Sequence, residues 1–241
     1  MWKRHPADAR NLICSRFACD SSSCVAGTAQ LVYRRLSIRG RMTEPHLRET
    51  KRSSQEVFRG RLLHAFQDIV ELADGSTSVR EYVVHPGAVM VIPLLHDESG
   101  NTRVVLERQF RYPVGQVMVE FPAGKLDAGE STWDCARREL REETGYSALE
   151  WAHAGRLHPV IAYSTEFIDI WFARVLSPGR PSLDVGEHID VFTATPSELL
   201  QWCADGTVTD GKTLTGTLWL QNVLSGAWSL NWQSVDSPHR K

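Results

Sequence analysis

Three glutamates near the middle of the chain, Glu139, Glu142 and Glu143, stand three and four residues apart. On an α-helix that spacing brings side chains to one face, within an arc of about 100°. Carboxylates at i and i+4 repel by a few tenths of a kcal/mol, so something must offset their clustering. The segment offers two answers, its own arginines (Arg137, Arg138, Arg141) or a bound cation. Hard oxygen donors select Mg²⁺, Mn²⁺ or Ca²⁺ over zinc. Mg²⁺ takes one or two carboxylates and fills its shell with waters and substrate phosphates, an arrangement suited to phosphoryl chemistry. There it offsets charge on bridging oxygens and lowers the pKa of an attacking water. Taken alone, such a string also reads as a solvated helix whose Glu and Arg serve only helix propensity.

The glutamates need a helix to hold them, and the sequence supplies one over residues 132–144. Ser131 caps its start with Asp134 three residues on, and Gly145 stops it. Trp133, Ala136 and Leu140 form the apolar stripe that docks it on a sheet. Strand patterns surround it. Residues 88–95 are continuously apolar and predict a strand buried on both faces. Further strands are predicted over 102–110, 116–121, 152–157, 167–175 and 190–194. Thr195-Pro196-Ser197-Glu198 is a capping box that opens a helix ending at Gly206, and a last helix covers about 212–224 before Gly226. Ahead of these lie two apolar-rich runs, 57–61 and 62–72, an Asp74-Gly75 turn and a strand over 79–84. This meander is too small to bury a core alone and must pack on the rest or on a second subunit. The fold class is α/β, a mixed β-sheet sandwiched between helices with an N-terminal antiparallel β meander.

The 241 residues are 42% hydrophobic and 23% charged, ordinary for a globular protein. No apolar run approaches the roughly 20 residues that span a bilayer. The net charge of −2 is uneven: residues 1–41 carry +6 and the remaining 200 carry −8. A mildly acidic body has no electrostatic footprint for nucleic acid. Cys14, Cys19 and Cys24 lack a CxxC pair and matching histidines, so zinc is not expected. An odd count of five cysteines favours a reducing cytoplasm. Residues 1–41 lack periodicity and read either as a basic targeting segment or as sequence upstream of a true start at Met42. The expected organisation is 1–41 as a basic extension, 42–86 as an N-terminal β-sheet region, 87–228 as the catalytic domain and 229–241 as a tail.

The helix sits in a longer pattern. Gly124, five residues, Glu130, seven residues, then Arg138-Glu139-Leu140-x-Glu142-Glu143-x-Gly145 resembles the full Nudix box, with Tyr146 where Ile, Leu or Val is usual. The resemblance implies a Nudix fold and a Mg²⁺-dependent pyrophosphohydrolase, with Mn²⁺ as a substitute. It makes Glu139 and Glu143 the main metal ligands and Glu142 an assistant, with catalytic roles for Glu142 and Glu143. Gly124 serves the tight loop before the helix. Glu130 and Arg138 brace loop against helix.

Three flanks are similar to the ADP-ribose pyrophosphatase branch. They are Glu107-Arg108-Gln109-Phe110-Arg111-Tyr112-Pro113 with Glu120-Phe121-Pro122-Ala123-Gly124, the meander before the core, and Asp210-Gly211-Lys212-Thr213 leading into a helix. The branch implies an Ala123 carbonyl that binds metal, and a homodimer that exchanges its N-terminal sheet. Arg108 and Arg111 are candidates to meet the diphosphate or a ribose, against surface strand arginines. Glu120 is a candidate for the ribose hydroxyls, against pairing with a neighbouring arginine. Gly186-Glu187-His188-Ile189-Asp190 resembles the branch's mobile-loop pattern and makes Glu187 the leading general base, against a solvated loop acid. One departure is plain. Residues 158–166 keep Pro159 but lack the branch's Pro-Gly pair, and Tyr163 there reads either as a base-stacking ring or as a packed loop residue.

The expected reaction is hydrolysis of ADP-ribose, a nucleoside diphosphate sugar, to AMP and ribose 5-phosphate. GDP-mannose or NADH are alternatives within the class. A ligand-binding regulator on the same fold is the alternative from another class, but such proteins lose box carboxylates that this chain retains.

Overall fold

The computed structural model describes residues 44–235. The segment expected to be a targeting or untranslated extension, with Cys14, Cys19 and Cys24, lies outside the described residues. A short 3-10 turn, Pro45–Leu47, leads into three antiparallel strands, β1 (Thr50–Arg59), β2 (His64–Glu71) and β3 (Thr77–Val84). At the turn between the last two, Gly75 has φ 84° and Asp74 accepts the Ser76 N–H at 2.9 Å. β1 begins well before the apolar run that signalled it. Its first residues are polar and exposed, so hydrophobic periodicity could not mark them.

A larger sheet follows. Its strands are β4 (Ala88–His96), β5 (Thr102–Arg111), β6 (Gln116–Glu120) and β7 (Ala123–Lys125), then β8 (Ser147–Leu157), β9 (Ile168–Ser177) and β10 (Ile189–Ala194), and finally β11 (Gln233–Ser234). Helix α1 (Thr132–Thr144) lies between β7 and β8, and α2 (Pro196–Asp205) and α3 (Gly211–Leu224) between β10 and β11. The order is β10-β5-β4-β9-β8-β11, with β6 on β5 and β7 on β4. Only β4 and β9 run parallel; the other pairs are antiparallel. Neither the three-residue β7 nor the two-residue β11 was signalled by the sequence, being too short to show alternation.

The alternation along β4 explains the layers. Val89 and Val91 face one side, where Cys135, Ala136 and Leu140 of α1 pack with Trp151 and Ala173. Met90, Ile92 and Leu94 face the other, where Leu199 of α2 and Leu220 of α3 complete the core. A strand covered on both faces must be apolar throughout, as residues 88–95 are. This is the mixed sheet between helices that the pattern implied. The predicted caps form: Ser131 accepts the Asp134 N–H at 3.1 Å, and Thr195 and Glu198 make the reciprocal capping box. Among the described residues no helix is long and apolar enough to cross a membrane.

One edge of β4 changes partner along its length. Ala88–Met90 pair with β7, whereas Leu94–His96 pair with β5. Val91 N–H bridges to the Pro122 carbonyl at 2.8 Å, and Pro93, which has no N–H to give, sits at the switch. The sheet therefore splits between β5 and β7.

Away from the split, β8 and β9 hold a cross-strand ion pair whose carboxylate is buried and whose arginine is exposed. Asp169 stands opposite Arg156 and accepts from its Nε at 2.7 Å and Nη2 at 3.0 Å. Burial raises the Asp169 pKa, but hydrogen bonds from His153 and Arg156 outweigh it and hold the carboxyl below its usual range. A depressed folded-state pKa adds stability above the unfolded value, about 3.9, and that stability is lost as pH falls towards the folded value. Asp169→Asn is therefore expected to destabilise the chain at pH 7, with the gap to the parent closing as pH drops below about 4. Urea midpoints across that range check it, and a gap that stays constant with pH refutes it.

Candidate active site

Where the sheet splits, a cleft of about 680 Å³ opens beside α1. Its walls come from β5, β7, α1, the loop after β9 and the start of α3. Gln109, Arg111, Ala123, Gly124, Arg138, Glu139, Glu142, Glu143, Glu187 and Lys212 all line it. Most of the site residues expected from sequence therefore meet in one place, although they come from separate elements.

The α1 carboxylates are not simply solvated. Glu143 is 4% exposed and Glu139 9%, too little to read them as a charged outer face. Glu143 accepts the Ala123 N–H at 2.9 Å, which places Ala123 beside the carboxylates. Arg138 donates to Glu130 from Nε (2.9 Å) and Nη2 (2.8 Å), to Glu139 (2.8 Å) and Glu142 (3.1 Å) from Nη1, and to the Lys125 carbonyl (3.1 Å). It braces loop to helix as the resemblance implied, and it also answers part of the helix's negative charge. The bonds from Arg138 hold Glu130 down at about 2, against the effect of burial.

Glu143 has no arginine of its own. Burial, then the charges of Glu107 and Glu139, push its carboxyl well above the usual range, although the Ala123 N–H opposes them. Burial, then Glu120, does the same to Glu107, and burial raises Glu139 despite Arg138. Glu187 adds to the field at all three.

Gly124 is fixed by this crowding. A Cβ there would lie 1.9 Å from Glu139 Oε1 and 2.0 Å from Cδ, so the glycine is needed for the close approach of that side chain. Gly145 serves two ends. Its φ of 77° closes α1, with its N–H on the Arg141 carbonyl. A Cβ there would also lie 2.7 Å from the Gly179 carbonyl oxygen and 2.9 Å from Pro181 N. The Ser182 N–H then donates to the Glu142 carbonyl at 2.8 Å. The loop after β9 thus docks on the end of α1 and continues to Glu187, which accepts from Gln109 Nε2 at 3.2 Å.

On the opposite wall, Arg111 donates to Glu120 from Nε (2.7 Å) and Nη2 (2.8 Å). Lys212 bonds Glu120 too, and Asp210 at 3.1 Å. Burial raises the Glu120 pKa, but Arg111 and Lys212 outweigh it and the net shift is down. Of its two expected roles, Glu120 takes the arginine pairing. Asp210 caps α3 through the Thr213 N–H at 2.9 Å, so one short segment both starts a helix and delivers a lysine to the cleft.

Arg108 is not brought to this cleft. It sits 3.5 Å from Asp190 and over the Phe192 ring at 5.4 Å. Side chains alternate across a strand, so Arg108 and Arg111, three residues apart, take opposite faces of β5. Tyr163 is exposed and outside the cleft lining, with its backbone carbonyl bonded to Val83 N–H. Gln109, Lys212, Asp210 and Glu107 had no role assigned from sequence. The same alternation could have found Gln109 and Glu107, two and four residues before Arg111.

The donor set suits a hard divalent cation. It is all oxygen, concentrated and short of counter-charge, and both carboxyl oxygens of Glu107 are buried without a hydrogen-bond partner. Among the described residues no three such side chains already converge on one point, and Arg138 is bonded to Glu139 and Glu142. Mg²⁺ needs only one or two carboxylates and keeps several waters, so it does not require a finished cage. Gly124→Ala must displace Glu139. It is expected to leave the circular dichroism spectrum unchanged and to weaken Mn²⁺ binding about 10–100-fold, measured by titration; unchanged affinity would remove Glu139 from the ligand set.

Comparison with known proteins agrees with this geometry. The NUDIX domain family model matches residues 84–214. The methanol dehydrogenase activator of Bacillus methanolicus is 37% identical over 172 residues, covering 70% of this chain and 90% of that protein. The ADP-ribose pyrophosphatase of Bacillus subtilis (strain 168) is 33% identical over 177 residues, covering 73% and 94%. A solved structure titled as an ADP compounds hydrolase superposes with a TM-score of 0.67 over 75% of this chain and 97% of that one, at 23% identity, and so supports the fold. With the three box glutamates of α1 gathered in one cleft and these matches spanning most of its length, the chain belongs to the NUDIX family of hydrolases.

Proposed function

We propose that the protein hydrolyses ADP-ribose to AMP and ribose 5-phosphate with Mg²⁺. The observation that carries this reading is the meeting, in one cleft, of the box carboxylates with Arg111, Lys212 and Glu187. Relatives named ADP-ribose pyrophosphatase support the substrate class.

Glu139 and Glu143, with Glu142 and the Ala123 carbonyl, are the residues to hold the metal, for which Mn²⁺ is a substitute. When bound, the divalent ion offsets diphosphate charge and lowers the pKa of water. Arg111 uses two guanidinium nitrogens on Glu120, which aims the group while leaving donors for a phosphate or ribose oxygen. Lys212 adds a second cation on the same wall. Glu120, with both oxygens engaged, orients these cations. Glu187 is the base: one carboxylate oxygen takes the proton from water as the new P–O bond forms and the anhydride P–O bond breaks. Residues 178–188 give it a loop anchored on α1 and a tip facing the cleft.

GDP-mannose or NADH as substrate is the nearer competing reading, favoured by the absence of a Pro-Gly pair in residues 158–166, of which Pro159, Val160 and Glu166 line the cleft. The regulator reading has no lost box carboxylate to support it. A homodimer and a cytoplasmic setting complete the proposal. Val57, Phe58, Leu63 and Val79 of the N-terminal sheet region are exposed, as expected of a face that a second copy covers.

Incubation with ADP-ribose and Mg²⁺ is expected to release AMP; its absence, with another nucleotide sugar cleaved, would hand the substrate to that compound. Glu143→Gln is expected to lower kcat by at least about 10²-fold with the fold intact. Arg111→Ala should lower kcat/KM by about ten-fold or more, whereas Arg108→Ala should stay within about two-fold. Equal effects of the two arginines would contradict the placement of β5.

A further inference from the structure

We propose that Glu107 is a further acidic group of the divalent-cation centre, a carboxylate supplied by β5 and not by the box helix. The proposal rests on the metal-dependent reading above and deepens it.

Glu107 is fully buried, and neither of its carboxyl oxygens accepts a hydrogen bond from the described residues. Buried polar groups in native proteins nearly always have a partner, so one without any asks for an explanation. Its surroundings make the demand sharper. In the β5–β6 register Glu107 stands directly opposite Glu120, and like charges at such positions are destabilising. The two cations close by, Arg111 and Lys212, are both bonded to Glu120. Glu107 feels both cations only at a distance, and their charge does not outweigh its burial and the charge of Glu120.

The strand period gives it a direction. Gln109 and Arg111 line the cleft, and residues two and four positions earlier on a strand share a face. Glu107 therefore shares the cleft-side face of β5 with them, fully buried and not itself part of the lining, and its charge reaches Glu143 and Glu187. A leucine or isoleucine would fill such a site without any electrostatic cost. A carboxyl there, with no protein partner, is matched to a partner that arrives with the ligand. The acidic side chains around it identify that partner as a hard cation with its water shell. Glu107 is a positioning residue: it adds negative charge and two acceptor oxygens behind Glu143, and so raises cation affinity.

Mn²⁺ titration of the full chain, followed by the electron paramagnetic resonance of free Mn²⁺, tests this together with thermal unfolding with and without Mg²⁺. Glu107→Gln keeps the shape and removes the charge. It is expected to weaken Mn²⁺ binding by about ten-fold and to shrink the Mg²⁺-induced rise in Tm. The metal-free variant should unfold at the same temperature as the metal-free parent or higher. A purely structural residue gives the opposite pattern, a lower metal-free Tm with unchanged Mn²⁺ affinity, and that result overturns the proposal. If Glu107→Gln does not fold, Glu107→Met is measured in the same way. Failure of both to fold also overturns it, since a group that awaits a cation is not needed to fold the metal-free chain. A parent protein that binds no Mn²⁺ sinks the metal reading and this proposal together, whereas parent binding that Glu107→Gln leaves unchanged sinks only the role of Glu107.

Discussion

Several carboxylates, most of them buried, crowd in and around one cleft, and the protein's own cations neutralise only some of them. Glu130 and Glu142 are matched by Arg138, and Glu120 by Arg111 and Lys212. Among the described residues Glu143 and Glu107 have no such ion-pair partner. Taking ionised groups out of water is costly unless charge and hydrogen bonds replace it. The molecule meets that cost by spending its hydrophobic core on rigid placement. The apolar stripe of α1 is buried against β4 and β8, which fixes the helix's acidic face towards the split in the sheet. Without that docking, three glutamates on one helix would spread into solvent and relieve their repulsion locally.

The split has its own cause. β4 cannot pair with β5 and β7 over the same residues, so it gives its first part to one and its last part to the other. Backbone that would otherwise close the sheet is turned outward, and the gap becomes the cleft. Residues far apart in sequence reach it because they stand at ends of elements: Lys212 in the first turn of α3, Ala123 at the start of β7, Glu187 just before β10. Positions at element ends can vary in side chain without breaking a core, as expected where a candidate site sits on a stable scaffold.

How much of this could be read from the sequence depends on the kind of signal. The box helix was legible to the residue, because caps, stripe and carboxylates all follow one 3.6-residue period. β4 was legible because burial on both faces requires an unbroken apolar run. β1 was only half visible, since its exposed polar start has no hydrophobic mark. β11 pairs with β8 through two residues, and pairing of that length depends on tertiary neighbours alone. Type and spacing pointed to Glu139, Glu143 and Arg111, and all three line the cleft. Arg108 stands outside it, the surface strand arginine of its two readings, because a motif string does not say which face of a strand each residue takes, although the two-residue period does. Lys212 stood in a recognised segment without a role, because its partner Glu120 lies 92 positions away.

The contact between Gly145 and residues 179–181 ties two functions to one mechanical joint. Because the loop is pinned to the last turn of α1, the helix and the root of the loop form a single lever, and a tilt of one carries the other with it. The distance along the chain from that joint to Glu187 is only a few residues, so the position of the α1 carboxylates and that of the loop carboxylate are set from one anchor.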